Sequence, residues 1–342
     1  MLPSTDWKET IPADEAERFE RLAAAIHELQ RTHARGGAPD RGLHAKGQAG
    51  LEAEFTVLPD VPEHARVGLF ATPGTHRAYV RFSNGAGVRR ADRKPDVRGL
   101  AIKVLGVPGK KLIPGLADAT TQDFLLILNP NAGIANADEF VWLVLAAESE
   151  ALLLPRAMAR YGPLRGLAFV ARLLRQLSTP VASLATNRYY SAVPSTFGPY
   201  AAHWALAPRT VAPPGADRGA SPDYLAEELA ARLEAGPVEY DFCVQFYRDE
   251  SATPIEDASR GWTLEDAPPV PLARLTLPRQ SMRSPRGRRV AEFVERLSFD
   301  PWHAPAEFRP LGNMMRLRRV AYRLSTKERG AAPEPDGSER FD

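Results

Sequence analysis

The chain has 342 residues, 44% of them apolar and 25% charged, the balance of an ordinary globular protein long enough to bury a large core. Its 44 Lys and Arg nearly balance 42 Asp and Glu, so it lacks the broad basic face that nucleic-acid binding needs. The single cysteine, Cys243, excludes an internal disulfide and any multi-cysteine metal site.

In chain order, the N-terminus lacks the basic segment and apolar core of a secretion signal. No apolar run reaches membrane-spanning length, and together these features predict a soluble cytoplasmic protein. Phe19, Leu22, Ala23, Ile26 and Leu29 recur at helical spacing and predict an amphipathic helix over 13–34. A break rich in Gly, Pro and Asp follows at 36–40. Strand patterns cover 43–58, 78–84, 99–105 and 123–128. The stretch 138–176, rich in Ala, Leu and Arg, predicts helix interrupted at Pro155 and Pro163. Strands return at 200–207, 238–247 and 270–277, and helices are predicted over 288–297 and 310–329. The polar tail 330–342 has the composition of a disordered segment. Two batches of strands separated by helices predict an α+β fold, an antiparallel sheet or barrel with appended helices. This divides the chain into an N-terminal helix and arm (1–40), a main domain (41–329) and the tail. No Gly-rich strand-to-helix loop of the nucleotide-binding type is present.

Three segments carry candidate chemistry. In the last helix, Arg318 and Tyr322 stand at i and i+4, where their side chains can meet, and Arg329 falls on the same face. A guanidinium beside a phenol favours the phenolate, as does a ferric ion, and tyrosinate is one of the known ligands of haem iron. Taken alone, the pattern fits equally a helix with solvated arginines and Tyr322 in a core. In Arg41-Gly-Leu-His-Ala-Lys-Gly47, His44 is either a hydrogen-bonded structural residue or an acid–base group able to move a proton between peroxide oxygens. Ala45 and Gly47 leave room for a flat cofactor or for a tight strand crossing. In Tyr79-Val-Arg-Phe-Ser-Asn84, Arg81 and Ser83 share one strand face. Ser83 can fix the imidazole there, and Arg81 can bind a carboxylate through its planar fork.

Together these segments resemble the haem catalases and their shorter catalase-related peroxidases. His44-Ala-Lys-Gly47 looks like the distal-histidine strand. Val80-Arg-Phe-Ser83 and Asp96-Val-Arg-Gly-Leu-Ala-Ile-Lys103 look like the next two strands of the barrel. Phe299-Asp-Pro-Trp302, Arg318-x-x-x-Tyr322 and Arg329 look like the proximal segment. Weaker similarity lies in Gln122-Asp-Phe-Leu-Leu-Ile127, Pro254-Ile-Glu-Asp257 and Leu277-Pro-Arg-Gln280. The resemblance implies a catalase-like antiparallel barrel holding haem b with ferric iron. Tyr322 is then the axial ligand, Arg318 its phenolate partner, His44 the distal acid–base group and Ser83 its orienting partner. Arg41, Arg81 and Arg329 are the implied propionate-binding residues, and Phe140 is implied to stack on the haem. Family members are commonly oligomeric, which makes a homo-oligomer an expectation.

One departure concerns the family's distal asparagine. An ungapped match puts Leu128 in its place, and Asn129 fills the role only with a one-residue shift, which in a strand turns the side chain to the other face. The expected function is therefore a haem peroxidase with weak catalase activity, acting on hydrogen peroxide or organic hydroperoxides with a small organic reductant. The alternatives are a fatty-acid hydroperoxide isomerase of the allene oxide synthase kind and a non-enzymatic haem sensor or carrier. Leucines interleaved with arginines over 152–174 suit either peripheral contact with a membrane or a helix pair covering the barrel with a solvated basic face.

Overall fold

Alternating apolar residues build nine strands: β1 (Gly47–Val57), β2 (Gly74–Asn84), β3 (Arg98–Leu105), β4 (Thr121–Ile127), β5 (Tyr189–Tyr190), β6 (Ser195–Phe197), β7 (Tyr200–Pro208), β8 (Val238–Phe246) and β9 (Val270–Leu277). The computed structural model describes residues 2–34, 40–210 and 221–342; most of the break expected at 36–40 lies outside them. Strands β1 to β4 pair antiparallel in chain order, β4 meets β5 and β5 meets β7. Through β8 and β9 the sheet returns to β1. The result is a closed, eight-stranded antiparallel barrel with β6 added alongside β7.

Strand alternation sorts the side chains into two sets. Phe55, Val80, Phe82, Leu100, Ile102, Phe124, Leu126, Trp204 and Phe242 fill the interior, where Phe124 and Phe242 meet edge-on at 4.9 Å. The opposite parity points outward. There Ser83 lies abreast of Gly99 and Ile127, Arg81 of Ala101 and Leu125, and Tyr79 of Lys103 and Asp123.

Among the described residues seven α-helices surround the barrel: α1 (Glu15–His33), α2 (Ala137–Ala146), α3 (Glu150–Tyr161), α4 (Pro163–Leu177), α5 (Tyr224–Ala235), α6 (Pro285–Arg296) and α7 (Asn313–Arg329). Phe19, Ala23 and Ile26 of α1 share a second core with α2, α4 and Met314, Met315 and Leu317 of α7. The N-terminal helix is thus packed into the body. Helix α6 lies on β1 and β2 through Val290 and Val294, beside Tyr79.

Three local expectations are corrected. Helix α3 runs through Pro155, which sits on an exposed side of the helix, where solvent can satisfy the carbonyl it frees. The break falls at Gly162, with φ of 85° and Pro163 opening α4. Helix α5 buries Tyr224, Leu225, Leu229 and Leu233 in a stretch for which no element was predicted. The tail 330–342 has no helix or strand, yet it is fixed. Glu334 accepts hydrogen bonds from Lys103 Nζ at 2.6 Å, Thr121 Oγ1 at 2.8 Å and Ser298 Oγ at 2.9 Å. Phe341 is buried against Tyr79 and Phe293. A buried lysine with a single carboxylate partner, Asp123, gains a second from the tail, which explains why a polar segment docks there.

Candidate active site

His44 precedes β1 and takes a left-handed φ of 56°, an unfavourable conformation for a residue with a Cβ. Its backbone is held from both sides. The N–H donates to Gly85 O at 2.9 Å and the carbonyl accepts from Arg81 Nη2 at 2.9 Å. The ring lies against the outward face of the barrel, with Nδ1 sharing a 2.9 Å hydrogen bond with Ser83 Oγ. It packs over Gly99, where a Cβ would stand 2.7 Å from His44 Cε1. Burial, and then the charges of Arg81, Arg318 and Arg41, hold the imidazole down to a pKa of about 3, so it is neutral at ordinary pH.

On α7, Arg318 Nη2 donates to Tyr322 Oη at 2.6 Å, with the guanidinium over the phenol ring. The Phe299-Asp-Pro-Trp302 turn positions this helix. Trp302 Nε1 donates to Met315 O at 2.7 Å, and Asp300 N donates to Asp123 Oδ2 on β4 at 2.9 Å. At the start of α7, Asn313 N donates to Glu256 Oε2 and Gly312 N to Glu9 Oε1, the favourable placement for carboxylates at a helix N-terminus. The weaker motifs are thus structural. Glu256 anchors α7, Gln280 bonds the backbone of Glu52 on β1, and Gln122 is buried. The Arg318 charge lowers the pKa of both His44 and Asp300, so the guanidinium lies within electrostatic reach of the histidine.

The three remaining arginines gather around Glu295 of α6. Arg81 Nε donates to Glu295 Oε2 at 2.9 Å, and Arg41 Nη1 bonds Oε1 of the same carboxylate. Arg41 Nη2 and Arg329 Nη2 both donate to Leu297 O, at 2.8 and 3.0 Å. Asp40, the next nearest carboxylate, accepts from Arg89. Two of the three guanidinium groups thus share the Glu295 carboxylate while Arg329 bonds backbone carbonyls only, which leaves the cluster net positive. Burial, and then the neighbouring Arg81, push Arg41 down to about 9, and burial lowers Arg329 also. Such a cluster is a site for anions. Sequence reasoning missed Glu295. The available signal was a carboxylate four residues after Ala291, beside the buried Val290 and Val294 of α6. The space that Gly47 leaves is taken by this carboxylate, 2.7 Å from where a Cβ would stand.

Leu128 packs against the barrel interior, and the outward parity of β4 runs through Leu125 to Ile127, its last paired residue. Asn129 is half-buried and follows the end of the strand, outside its paired register. Phe140 lies on α2, packed against the helical core that includes α7.

Residues 23–110 match the family model described as Catalase. A curated relative, a catalase-related peroxidase from Mycolicibacterium paratuberculosis, is 30% identical over 322 residues, covering 86% of this chain and 92% of that protein. Among solved structures, a bacterial catalase superposes with a TM-score of 0.62 at 18% identity, and a fungal catalase with 0.66 at 18%. Catalase A from Saccharomyces cerevisiae superposes with 0.67 at 15%. Each superposition covers 96% of this chain, which spans 63%, 65% and 67% of those proteins respectively. The chain is thus just under two thirds the length of the bacterial catalase it matches.

Proposed function

Because the chain belongs to the catalase superfamily, among its short catalase-related members, we propose that it is a haem-dependent peroxidase that cleaves hydrogen peroxide or an organic hydroperoxide heterolytically. The observation that supports this reading best is the presence of two hydrogen-bonded pairs, His44 with Ser83 and Arg318 with Tyr322, with the Arg318 charge felt at His44.

The donor set fits a haem. Tyr322 Oη, which accepts a hydrogen bond from Arg318, would bind the iron. Arg41, Arg81 and Arg329 form a net positive cluster of the kind two propionates would need, and Gly99 and Ala101 put only small residues at their positions on the outward face of β3. When bound, the haem supplies the iron that binds peroxide and the electrons that break the O–O bond.

The proton steps fall to the protein. Neutral His44 can donate Nδ1–H to Ser83 Oγ, which leaves Nε2 free to accept the proton of an incoming hydroperoxide and return it to the departing oxygen. Asn129, just past the end of β4 and half-buried, is the residue that would orient the peroxide in this reading. A small organic donor then restores the resting enzyme. Ala101, Leu125 and Ile127 form an apolar wall beside this site, which favours hydroperoxides carrying a carbon chain. The same wall supports the second reading, isomerisation of a fatty-acid hydroperoxide. A haem sensor or carrier has no use for the strained His44 and its bond to Ser83.

The test is turnover of hydrogen peroxide and of a lipid hydroperoxide by the haem-loaded protein and its His44→Ala variant. The variant is expected to keep the haem spectrum and lose about 10²–10⁴-fold in rate; undiminished turnover would remove His44 from the mechanism. An alcohol product means reduction, whereas an epoxide or ketol means isomerisation.

A further inference from the structure

We infer that the α3–α4 hairpin is an interfacial element that lays its outer face on an anionic membrane surface. Helix α4 leaves Leu164, Leu167 and Leu174 83%, 54% and 48% exposed, with Ala168 and Ala171 exposed between them. At roughly 100° per residue these five positions fall within an arc of about 120°. They lie opposite the buried Gly166, Phe169 and Val170. Helix α3, packed against α4, adds exposed Leu152 and Met158. A helix that serves only a protein core turns polar residues outward; α4 turns leucines outward.

The charges agree with a lipid surface. Residues 145–180 contain five arginines and two glutamates. Arg165 and Arg172 lie along one edge of the apolar arc and Arg175 falls within it, beside Leu164 and Ala168, and α4 itself has no acidic residue. Among the described residues none of these three forms an ion pair, whereas Arg316 engages Glu9, Glu15 and Glu256. Leucines outward with arginines at and beside them is the pattern of a helix lying among lipid headgroups. A second copy of the chain suits this face less well, because an isologous pairing would bring the unpaired arginines of the two copies together. No helix among the described residues is long and apolar enough to cross a membrane, so the contact is with its surface. The end of α4 is tied by Gln176 Nε2 to Asn131 Oδ1 at 3.1 Å, in the loop that follows β4. A docked surface would therefore lie next to the strand carrying Leu125 and Ile127. The inference concerns binding alone and stands independently of the haem reading.

The experiment is flotation of the full chain with vesicles of phosphatidylcholine, with and without phosphatidylglycerol. Binding is expected on the anionic vesicles only, weakening as salt is raised. Replacing Arg165, Arg172 and Arg175 by Gln should weaken it by about fivefold per arginine. The exposed double substitution Leu164→Asp with Leu167→Asp should abolish it without changing the circular dichroism spectrum. Failure of the wild type to float with anionic vesicles overturns the inference. So does a dimer in solution that the double substitution converts to a monomer, which would assign the face to a second copy.

Discussion

Substituting Gly99 by Ala should disarm His44 while leaving the rest of the site intact. Gly99 is paired with Ser83 on one side and Ile127 on the other, so its backbone has no room to retreat. The new Cβ would stand 2.7 Å from His44 Cε1, 2.8 Å from Nδ1 and 3.1 Å from Ser83 Oγ. Ordinary contact begins near 3.4 Å, so the ring must withdraw by about 0.7 Å, enough to stretch its 2.9 Å bond to Ser83 past hydrogen-bonding range. A displacement approaching 1 Å at a reacting group costs on the order of 10²-fold in rate. The crowding itself should cost about 1–3 kcal/mol of stability. The assay is peroxide turnover per bound haem, with urea unfolding measured in parallel. Loss of turnover with haem still bound is the expected result. Wild-type turnover per haem would refute the argument, because His44 would then not act from its position against Gly99 and Ser83.

Glu295→Gln removes the one carboxylate that Arg41 and Arg81 share among the described residues, of which Arg81 is almost wholly buried. The haem-free variant should lose about 2 kcal/mol, and an unchanged urea midpoint would mean that the arginines do not need it. Truncation after Gly330 removes Glu334 and leaves buried Lys103 with Asp123 alone. The expected loss is about 3 kcal/mol, whereas a tail that is loose would be lost without effect. His203 is buried and stacked on Trp262 at 3.9 Å, and burial holds its pKa down to about 3. It stays neutral in the fold while the unfolded chain takes up a proton below about pH 6.5, so its contribution to stability falls as pH falls. Relative to wild type, His203→Gln should gain about 1.4 kcal/mol on going from about pH 7.5 to about pH 5.5. A pH-independent difference would mean that His203 is already protonated in the fold.

Much of this fold is legible in the sequence because its strands are long and alternate cleanly; the 270–277 strand is found with the boundaries its apolar pattern predicts. Local signals fail where tertiary contacts decide. Pro155 looks like a helix stop but lies on the solvent side of α3. Residues 330–342 are polar enough to read as disordered, yet one carboxylate, Glu334, finds a buried lysine far away in the chain. In the site, Arg318 and Tyr322 are neighbours on one helix, and their contact follows from helical spacing. Glu295 meets Arg41 and Arg81 only across more than 200 residues of chain, and no local pattern announces that. The packing of Leu128 against the barrel core is likewise something the sequence of β4 alone leaves open.

If the proposed function holds, Tyr322 would ligate a haem and His44 would serve its reaction. The most direct test is the visible absorption spectrum of the purified protein, after reconstitution with haem, beside that of Tyr322→Phe. A haem band in the wild type that is lost or moved to a different ligand type in the variant is the predicted result. A wild type that takes up no haem, or a Tyr322→Phe variant with an unaltered spectrum, would contradict it.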